Sequence, residues 1–465
     1  MFFFQDDVGI LIQLAATPIW QLVLAPQAEH FVPVFKLFSL VQYKMFALNF
    51  PLYVYSAYLI HLLNCFLLYK IANYLFKQRI FALTAVAVFS INITYIEPFF
   101  WWAAQGELLA MFFLACAFFF WLNFMERKSQ KSLFISVPLL LFAGYSYGVG
   151  VGAGIVFALI SYIYKGILAR SLLVKTMLFF LLTGGISYLG GLLVAVHKPL
   201  PQLVSLMDYF VRFITFVAAG VARGVVGRVF FPGFDPRHFE IFPTVISFIP
   251  FLIFIFLLIS MFRNIRTEGK RKMLVILVLM VYPYLWAGVL RAQFGLKQAL
   301  AERYAYVSLF FFALLFSFLI LRLRQLRLLR SKRILVLFLT TILILQSAVF
   351  FLKAKDFEVR PKLTKLFFEN ISQVFAKSEV VINLPLPSYI NQPYKNADLA
   401  PVLAKHKQFI YLEVEDFVCD NTMQGYLTDI FLYQFYLLQS KDKRARHAEF
   451  TYEFRKCHQE SLRLK

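Results

Sequence analysis

Between residues 52 and 352 one near-continuous apolar run follows another, separated by short charged strips. Each run is roughly 16 to 25 residues, which brackets the length of a helix that crosses the hydrocarbon core of a bilayer. The runs fall near 52–76, 81–98, 104–125, 132–147, 149–164, 174–196, 241–262, 273–290, 304–321 and 333–352. The expected architecture is therefore an all-α polytopic membrane bundle of about ten spans over residues 1–353. Composition agrees. Apolar residues make up 60% of the chain, phenylalanine alone fills 57 positions, and charged residues are 15%, where a soluble domain carries about 25%.

The net charge of +22 does not imply a nucleic-acid partner, because the basic residues collect in strips between apolar runs. KQR (77–79), ERKSQK (126–131), KGILARSLLVK (165–175), RNIRTEGKRK (263–272) and RLRQLRLLRSKR (322–333) hold nineteen Lys and Arg. Ten spans keep all five strips on one side, as the positive-inside rule requires. Both chain ends and residues 1–51 then lie outside, in a cell membrane. The fourth and fifth spans meet at GYSYGVGVGAG, where glycines permit a tight turn or close packing. MFFF at the start reads as the end of an apolar helix, so a further span is expected before it. Residues 8–24, with Pro18 and Trp20, read as an interfacial helix on the outer face. The four cysteines show no metal-binding spacing.

With that sidedness, carboxylates stand at the start of the outer surface (Asp6, Asp7) and in a later connection (Glu97, Glu107, with Gln105 between them). Cations stand further on, at Arg212, Arg223, Arg228, Arg291 and Arg303, with Glu302 beside the last. Transfer of a sugar from a lipid phosphate needs this division of labour. A carboxylate takes the proton of the attacking hydroxyl, and positive groups stabilise the departing phosphate. Arginine suits the second task because its planar fork grips phosphate oxygens in pairs.

The order of motifs is FFFQDD, EHFVPVFKL, PLYVYSAYLIHLLNCFLLYKI, EPFFWWAAQGELL and AERYAYVSLFF. Over roughly residues 4 to 320 this resembles the GT-C superfamily of integral-membrane glycosyltransferases. The likeness is to the protein O-mannosyltransferase-like branch that includes the tetratricopeptide-containing transmembrane mannosyltransferases. The family's acidic pair falls on Asp6 and Asp7, its histidine and asparagine three apart on His61 and Asn64, and its E-R-Y triplet on Glu302, Arg303 and Tyr304. The chain departs from the pattern where Gln105 takes the usual arginine place, Glu107 takes the aspartate place and Phe31 replaces a basic residue; the tetratricopeptide tail is missing. The resemblance implies a GT-C-like bundle and a polyprenyl-phosphate sugar donor. Its acceptor would be a glycan, lipid or protein, with membrane lipids around it. One of Asp6 and Asp7 would be the general base, and the other would orient it or bind a divalent cation if one is used; no other cofactor is implied. Glu97, Gln105, Glu107, Glu302, Arg303, Arg223 and Arg228 would line the substrate.

Each residue also has a plainer reading. Asp6 and Asp7 would be a solvated tail, Glu97 a helix end beside Trp101 and Trp102, and His61 a hydrogen-bonded packing residue. Glu302 and Arg303 would be an ion pair at a helix start. Arg223 and Arg228, five apart, do not share one face of an α-helix and would anchor headgroups. Residues 354–465 change in character: EVRPKLTKLFFENISQVFAKS and NADLAPVLAKH read as helices, SEVVINLPLP and KQFIYLEV as strands. A small extracytoplasmic α/β domain is expected there, binding acceptor or covering the site. Two other functional classes stay open: a lipid or polysaccharide transporter or flippase, and a non-catalytic membrane scaffold.

Overall fold

The computed structural model describes residues 6–25, 30–164, 170–194, 205–233, 241–325 and 331–357, and two short strands at 380–383 and 410–413. The chain divides into two compact units. One comprises residues 1–22, 43–51 and 356–465; the other comprises 23–42 and 52–355. The sequence-based division had placed 1–22 and 43–51 with the bundle.

In the first unit, α1 (Asp6–Ala16) is followed after Pro18 by the start of α2 (Ile19–Leu24). Ile10, Leu11 and Leu14 of α1 are buried and Trp20 is 79% exposed, the mixed character expected of a helix at an interface. The strands β1 (Val380–Asn383) and β2 (Ile410–Glu413) fall inside the two segments read as strands and pair in parallel, Val380 opposite Ile410. The helices expected in the tail lie outside the described residues.

The second unit is helical. It runs through α3 (Pro33–Phe46) up to residue 42, α4 (Phe50–Phe76) from residue 52, α5 (Arg79–Ser90), the short α6 (Ile96–Phe100), α7 (Gln105–Arg127), α8 (Gln130–Gly144), α9 (Gly148–Val151) and α10 (Ala153–Tyr164). It continues with α11 (Arg170–Val194), α12 (Leu206–Ala219), a π-helical stretch Gly220–Gly227, α13 (Arg228–Phe230), α14 (Ile241–Asn264), α15 (Thr267–Arg291), α16 (Leu296–Ala299), α17 (Glu302–Gln325) and α18 (Lys332–Phe357). Among the described residues seven helices are long and apolar enough to cross a membrane, or eight if the bent pair Arg79–Ser90 and Ile93–Phe100 counts as one. The chain is a multi-pass membrane protein. The expected ten spans are corrected in two ways. The fourth, fifth and seventh correspond to shorter apolar helices (Gln130–Gly144, Ala153–Tyr164 and Phe248–Asn264), and the segment 206–230, read as an outer connection, is a 25-residue apolar helix.

α17 is the hub. Its apolar window is 83% buried, against 22% for α18 at the periphery, because LFFFALLF is apolar on every face and a helix of that kind belongs inside. Two ends of the bundle are defined by polar contacts. At one, Tyr164 donates to Glu126 (3.0 Å), Lys272 lies 3.8 Å from Glu126, and Arg127 lies over the Tyr74 ring. At the other meet the starts of α7 and α17 and the end of α18.

Two irregular backbones are stitched by side chains, as an apolar surrounding demands. α5 breaks at Ser90 and turns by 57°. His61 takes up the Ser90 carbonyl (3.0 Å), and the Asn92 side chain accepts from the Thr94 amide (3.0 Å). Gln346 of α18 joins this break to the π-helix end. Its carbonyl accepts from the Ile93 amide (3.1 Å) while its amide donates to the carbonyls of Arg228 (2.6 Å) and Val229 (2.9 Å).

Candidate functional site

The site is built on the first turns of α7 and α17. A tight turn at Trp102–Ala104 feeds α7 and sets its first three residues in different directions. Gln105 faces α4: its amide donates to the Tyr53 carbonyl (3.1 Å) and its oxygen accepts from Gln42 (3.1 Å). Gln42 in turn accepts from the Trp102 indole (2.7 Å). This residue, standing where the family pattern has arginine, holds helices together. Gly106 allows close approach of the α8–α9 turn, since a Cβ there would sit 2.8 Å from the Ser146 carbonyl and 2.9 Å from the Tyr147 ring. Glu107 points into the bundle. It is 1% exposed and neither carboxylate oxygen makes a hydrogen bond. Burial, with the Glu107 charge next, holds the Tyr147 phenol well above its usual range.

The start of α17 carries free backbone N–H groups and the positive end of a helix dipole. Glu97 of α6 answers both. One of its oxygens accepts from the backbone N–H of Arg303 (3.1 Å) and from its guanidinium (3.3 Å). The guanidinium lies over the rings of Trp101 and Tyr304, each 5.1 Å to the centroid. The carboxylate that orients Arg303 is therefore Glu97 and not its neighbour Glu302. Glu302 faces the opposite way, 3.9 Å from Arg228 and 3.6 Å from Lys353. Arg228 also donates to the Leu300 carbonyl (3.1 Å).

Arg223 and Arg228 are each 2% exposed, within or directly after the π-helix. In that geometry hydrogen bonds run from i to i+5, so residues five apart come nearly above one another. The sequence argument that they do not share a face assumed an α-helix and is corrected. The π-helix packs Gly220 and Gly224 against Tyr284; a Cβ at Gly220 would overlap the Tyr284 ring, and one at Gly224 would sit 2.7 Å from its hydroxyl.

His61 and Asn64 are packing residues. Tyr306 donates to His61 Nδ1 (2.8 Å) and accepts from the Asn64 amide (3.1 Å), which also donates to the Leu108 carbonyl (3.1 Å). Their shared partner is Tyr306 and not the motif's Tyr304, which accepts from Gln298 (3.2 Å). Asp6 opens α1, and Asp7 is wholly buried rather than solvated. Both belong to the first unit, and Glu97, Glu107, Arg223, Arg228, Glu302 and Arg303 to the second. Among the described residues no three His, Cys, Asp or Glu side chains group to hold a metal ion.

The second unit thus pairs Arg303 with Glu97, and Arg228 and Lys353 with Glu302, and buries Arg223 and Glu107. Sequence reasoning missed Lys353, Tyr147, Tyr284, Tyr306 and Gln346. The one readable signal was Gln346, a lone amide in an apolar run. In comparisons with known proteins, no family model, no curated protein and no solved structure matches the chain.

Proposed function

We propose that the chain is a membrane glycosyltransferase that moves a sugar from a polyprenyl-phosphate donor to a glycan, lipid or protein acceptor outside the membrane. The observation that supports this reading is a pair of charged contacts at the start of α17, Arg303 with Glu97 and both Arg228 and Lys353 with Glu302, with Arg228 almost fully buried. Isolated buried charge is costly in a membrane and marks a substrate path or a partner. A lipid phosphate would be drawn to the two cations, Arg228 and Lys353, that share Glu302.

In the proposed reaction a carboxylate base, for which the family resemblance offers Asp7 or Asp6, takes the proton from the acceptor hydroxyl. The freed oxygen attacks the anomeric carbon, the bond from that carbon to the phosphate oxygen breaks, and its electron pair leaves with the phosphate. Arg303, oriented by Glu97, and the Arg228–Lys353 pair around Glu302 stabilise that leaving group. Purified full-length protein in nanodiscs, given undecaprenyl-phosphate sugars and an envelope extract as acceptor, is expected to release undecaprenyl phosphate. Asn at the base position should lower that release by about a hundredfold or more. Full release from Asn variants at both positions overturns the base assignment, and no release from any donor overturns the reaction.

The burial of Arg223 and Arg228 in an apolar helix also favours a second reading, a transporter of the same lipid-linked sugars. Movement of a fluorescent undecaprenyl-phosphate sugar between leaflets, with no product formed, would select it.

A further inference from the structure

α18 is peripheral, yet Ile342, Gln346, Phe350 and Ala354, each four residues from the next, are buried and form its inward stripe. Within that stripe Gln346 is 1% exposed. A buried amide is costly unless its polar groups find partners, and here they find three. The Gln346 carbonyl accepts from the Ile93 amide (3.1 Å), and its amide donates to the carbonyls of Arg228 (2.6 Å) and Val229 (2.9 Å). All three partners are backbone groups at points where helical pairing is interrupted. Ile93 opens a new turn after the break in α5, and Arg228 and Val229 begin the short α13 where the π-helix ends.

An apolar residue at 346 would leave these groups without partners in apolar surroundings, so Gln346 has a structural role at the least. The contacts around it close a ring that points to a second one. From Gln346 the ring passes to Ile93 and along α6 to Glu97, and Phe350 packs on α6 at Phe99 and Phe100, 6.2 Å between ring centroids in each case. Glu97 accepts from the Arg303 backbone amide (3.1 Å) at the start of α17. The adjacent Glu302 faces the Arg228 guanidinium (3.9 Å), and the Arg228 carbonyl returns to Gln346. Seven residues past Gln346, on the same face and about 10 Å along the helix, Lys353 reaches Glu302 (3.6 Å). α18 thus braces Arg228 twice, at its backbone through Gln346 and at its guanidinium through Lys353 and Glu302.

We propose that Gln346 is a positioning residue for the lipid-phosphate donor. By tying the backbone of Arg228 to the segment that is itself fixed to the start of α17, it sets where the Arg228 guanidinium stands beside Glu302 and Lys353. Cationic donors fixed in advance need no reordering when charge develops on a leaving phosphate. Gln346 acts through Arg228 and touches no substrate. The role rests on the glycosyltransferase reading, which supplies the phosphate.

The test uses the full-length protein in nanodiscs and measures affinity for undecaprenyl phosphate per folded molecule by native mass spectrometry. Gln346→Met, similar in length and without the amide, should weaken binding about tenfold. Gln346→Glu, which as the neutral acid keeps the acceptor and one of the two donor bonds, should weaken it only about threefold. It carries the comparison if the methionine variant does not fold. Each loss should shrink to within about twofold in an Arg228→Met background, because the brace then has no guanidinium to place. A purely structural role would carry the same loss into both backgrounds, and that result overturns the proposal. Wild-type affinity in both Gln346 variants also overturns it. If Arg228→Met itself binds as the wild type does, Arg228 is not a phosphate contact, and the positioning role falls while transfer through Arg303 stands. If the wild type binds no undecaprenyl phosphate, the transferase reading falls and the positioning role with it.

Discussion

The contact between Glu97 and Arg303 joins positions 206 apart in sequence, and its strength can be worked from the structure. Opposite charges 3.3 Å apart attract by about 5 kcal/mol at an effective dielectric near 20. The side chains are 17% and 18% exposed, so desolvation and water screening remove much of this. The net value should be that of a charge-assisted hydrogen bond, about 1.5–3 kcal/mol. Arg303 also stacks on Trp101 and Tyr304, contacts worth about 0.5–1 kcal/mol each near a surface. These survive replacement of Glu97 and are lost with Arg303. A double-mutant cycle with Glu97→Gln and Arg303→Met separates the two. Unfolding would be followed by tryptophan fluorescence as SDS is titrated into detergent-solubilised protein. The expected coupling is about 1.5–3 kcal/mol, beyond the additivity limit of about 0.5 kcal/mol for independent sites. Additive losses would refute the claim that Glu97 holds Arg303. A second arm measures undecaprenyl phosphate affinity per folded molecule. Arg303→Lys should weaken it about tenfold, because a point charge cannot reproduce the fork. If Arg303→Ala lowers stability with affinity unchanged, the residue is structural and the phosphate role passes to Arg228 and Lys353.

Tyr306→Phe removes the hydroxyl shared by His61 and Asn64 and should destabilise by about 1–3 kcal/mol, the cost of leaving buried partners unsatisfied. A loss below about 0.5 kcal/mol in the same SDS titration would mean the three residues are not a unit. Lys36 is 2% exposed, donates to the Ala25 carbonyl (2.7 Å), and is lowered by burial from 10.5 to about 8. Below pH 8 the folded state carries the full cost of its charge. Between pH 8 and 10.5 the unfolded chain binds more protons, so stability should rise with pH. Stability of Lys36→Met should lack that rise, and parallel pH profiles for the two proteins would remove Lys36 from the account.

The apolar runs were legible because hydropathy is a local property. Segment 206–230 was misread because Asp208, Arg212, Arg223 and Arg228 make it look like a charged connection. The structure pairs Asp208 with Arg212 at 2.8 Å on the exposed first turns and buries the other two. The π-helix has no local signature; it depends on the approach of Tyr284, some sixty residues on. The pairing of Glu97 with Arg303 was equally hidden, since adjacency in sequence pointed to Glu302. His61 and Asn64 share a face by their spacing of three, so a common partner was foreseeable. The partner itself, Tyr306, comes from α17, 242 positions from Asn64, and no local pattern points to it.

The helix at 206–230 also decides whether the charged strips share a side. A complete crossing there would place 263–272 and 322–333 opposite the three earlier strips. Near its start, Tyr209 donates to the Val289 carbonyl (2.7 Å); near its finish, Arg228 donates to the Leu300 carbonyl (3.1 Å) and faces Glu302. All three partners belong to the end of α15, the start of α17 and the short connection between them. Both ends of the 206–230 helix are thus tied to one connection, at one end of the bundle, with Phe230 dipping to Phe316 (6.0 Å between ring centroids). At the other end, Lys272 of the fourth strip meets Glu126 of the second. Lys272 and Glu126 thus bring the second and fourth strips to one end of the bundle, while Arg228, Leu300 and Glu302 meet at the opposite end of α15.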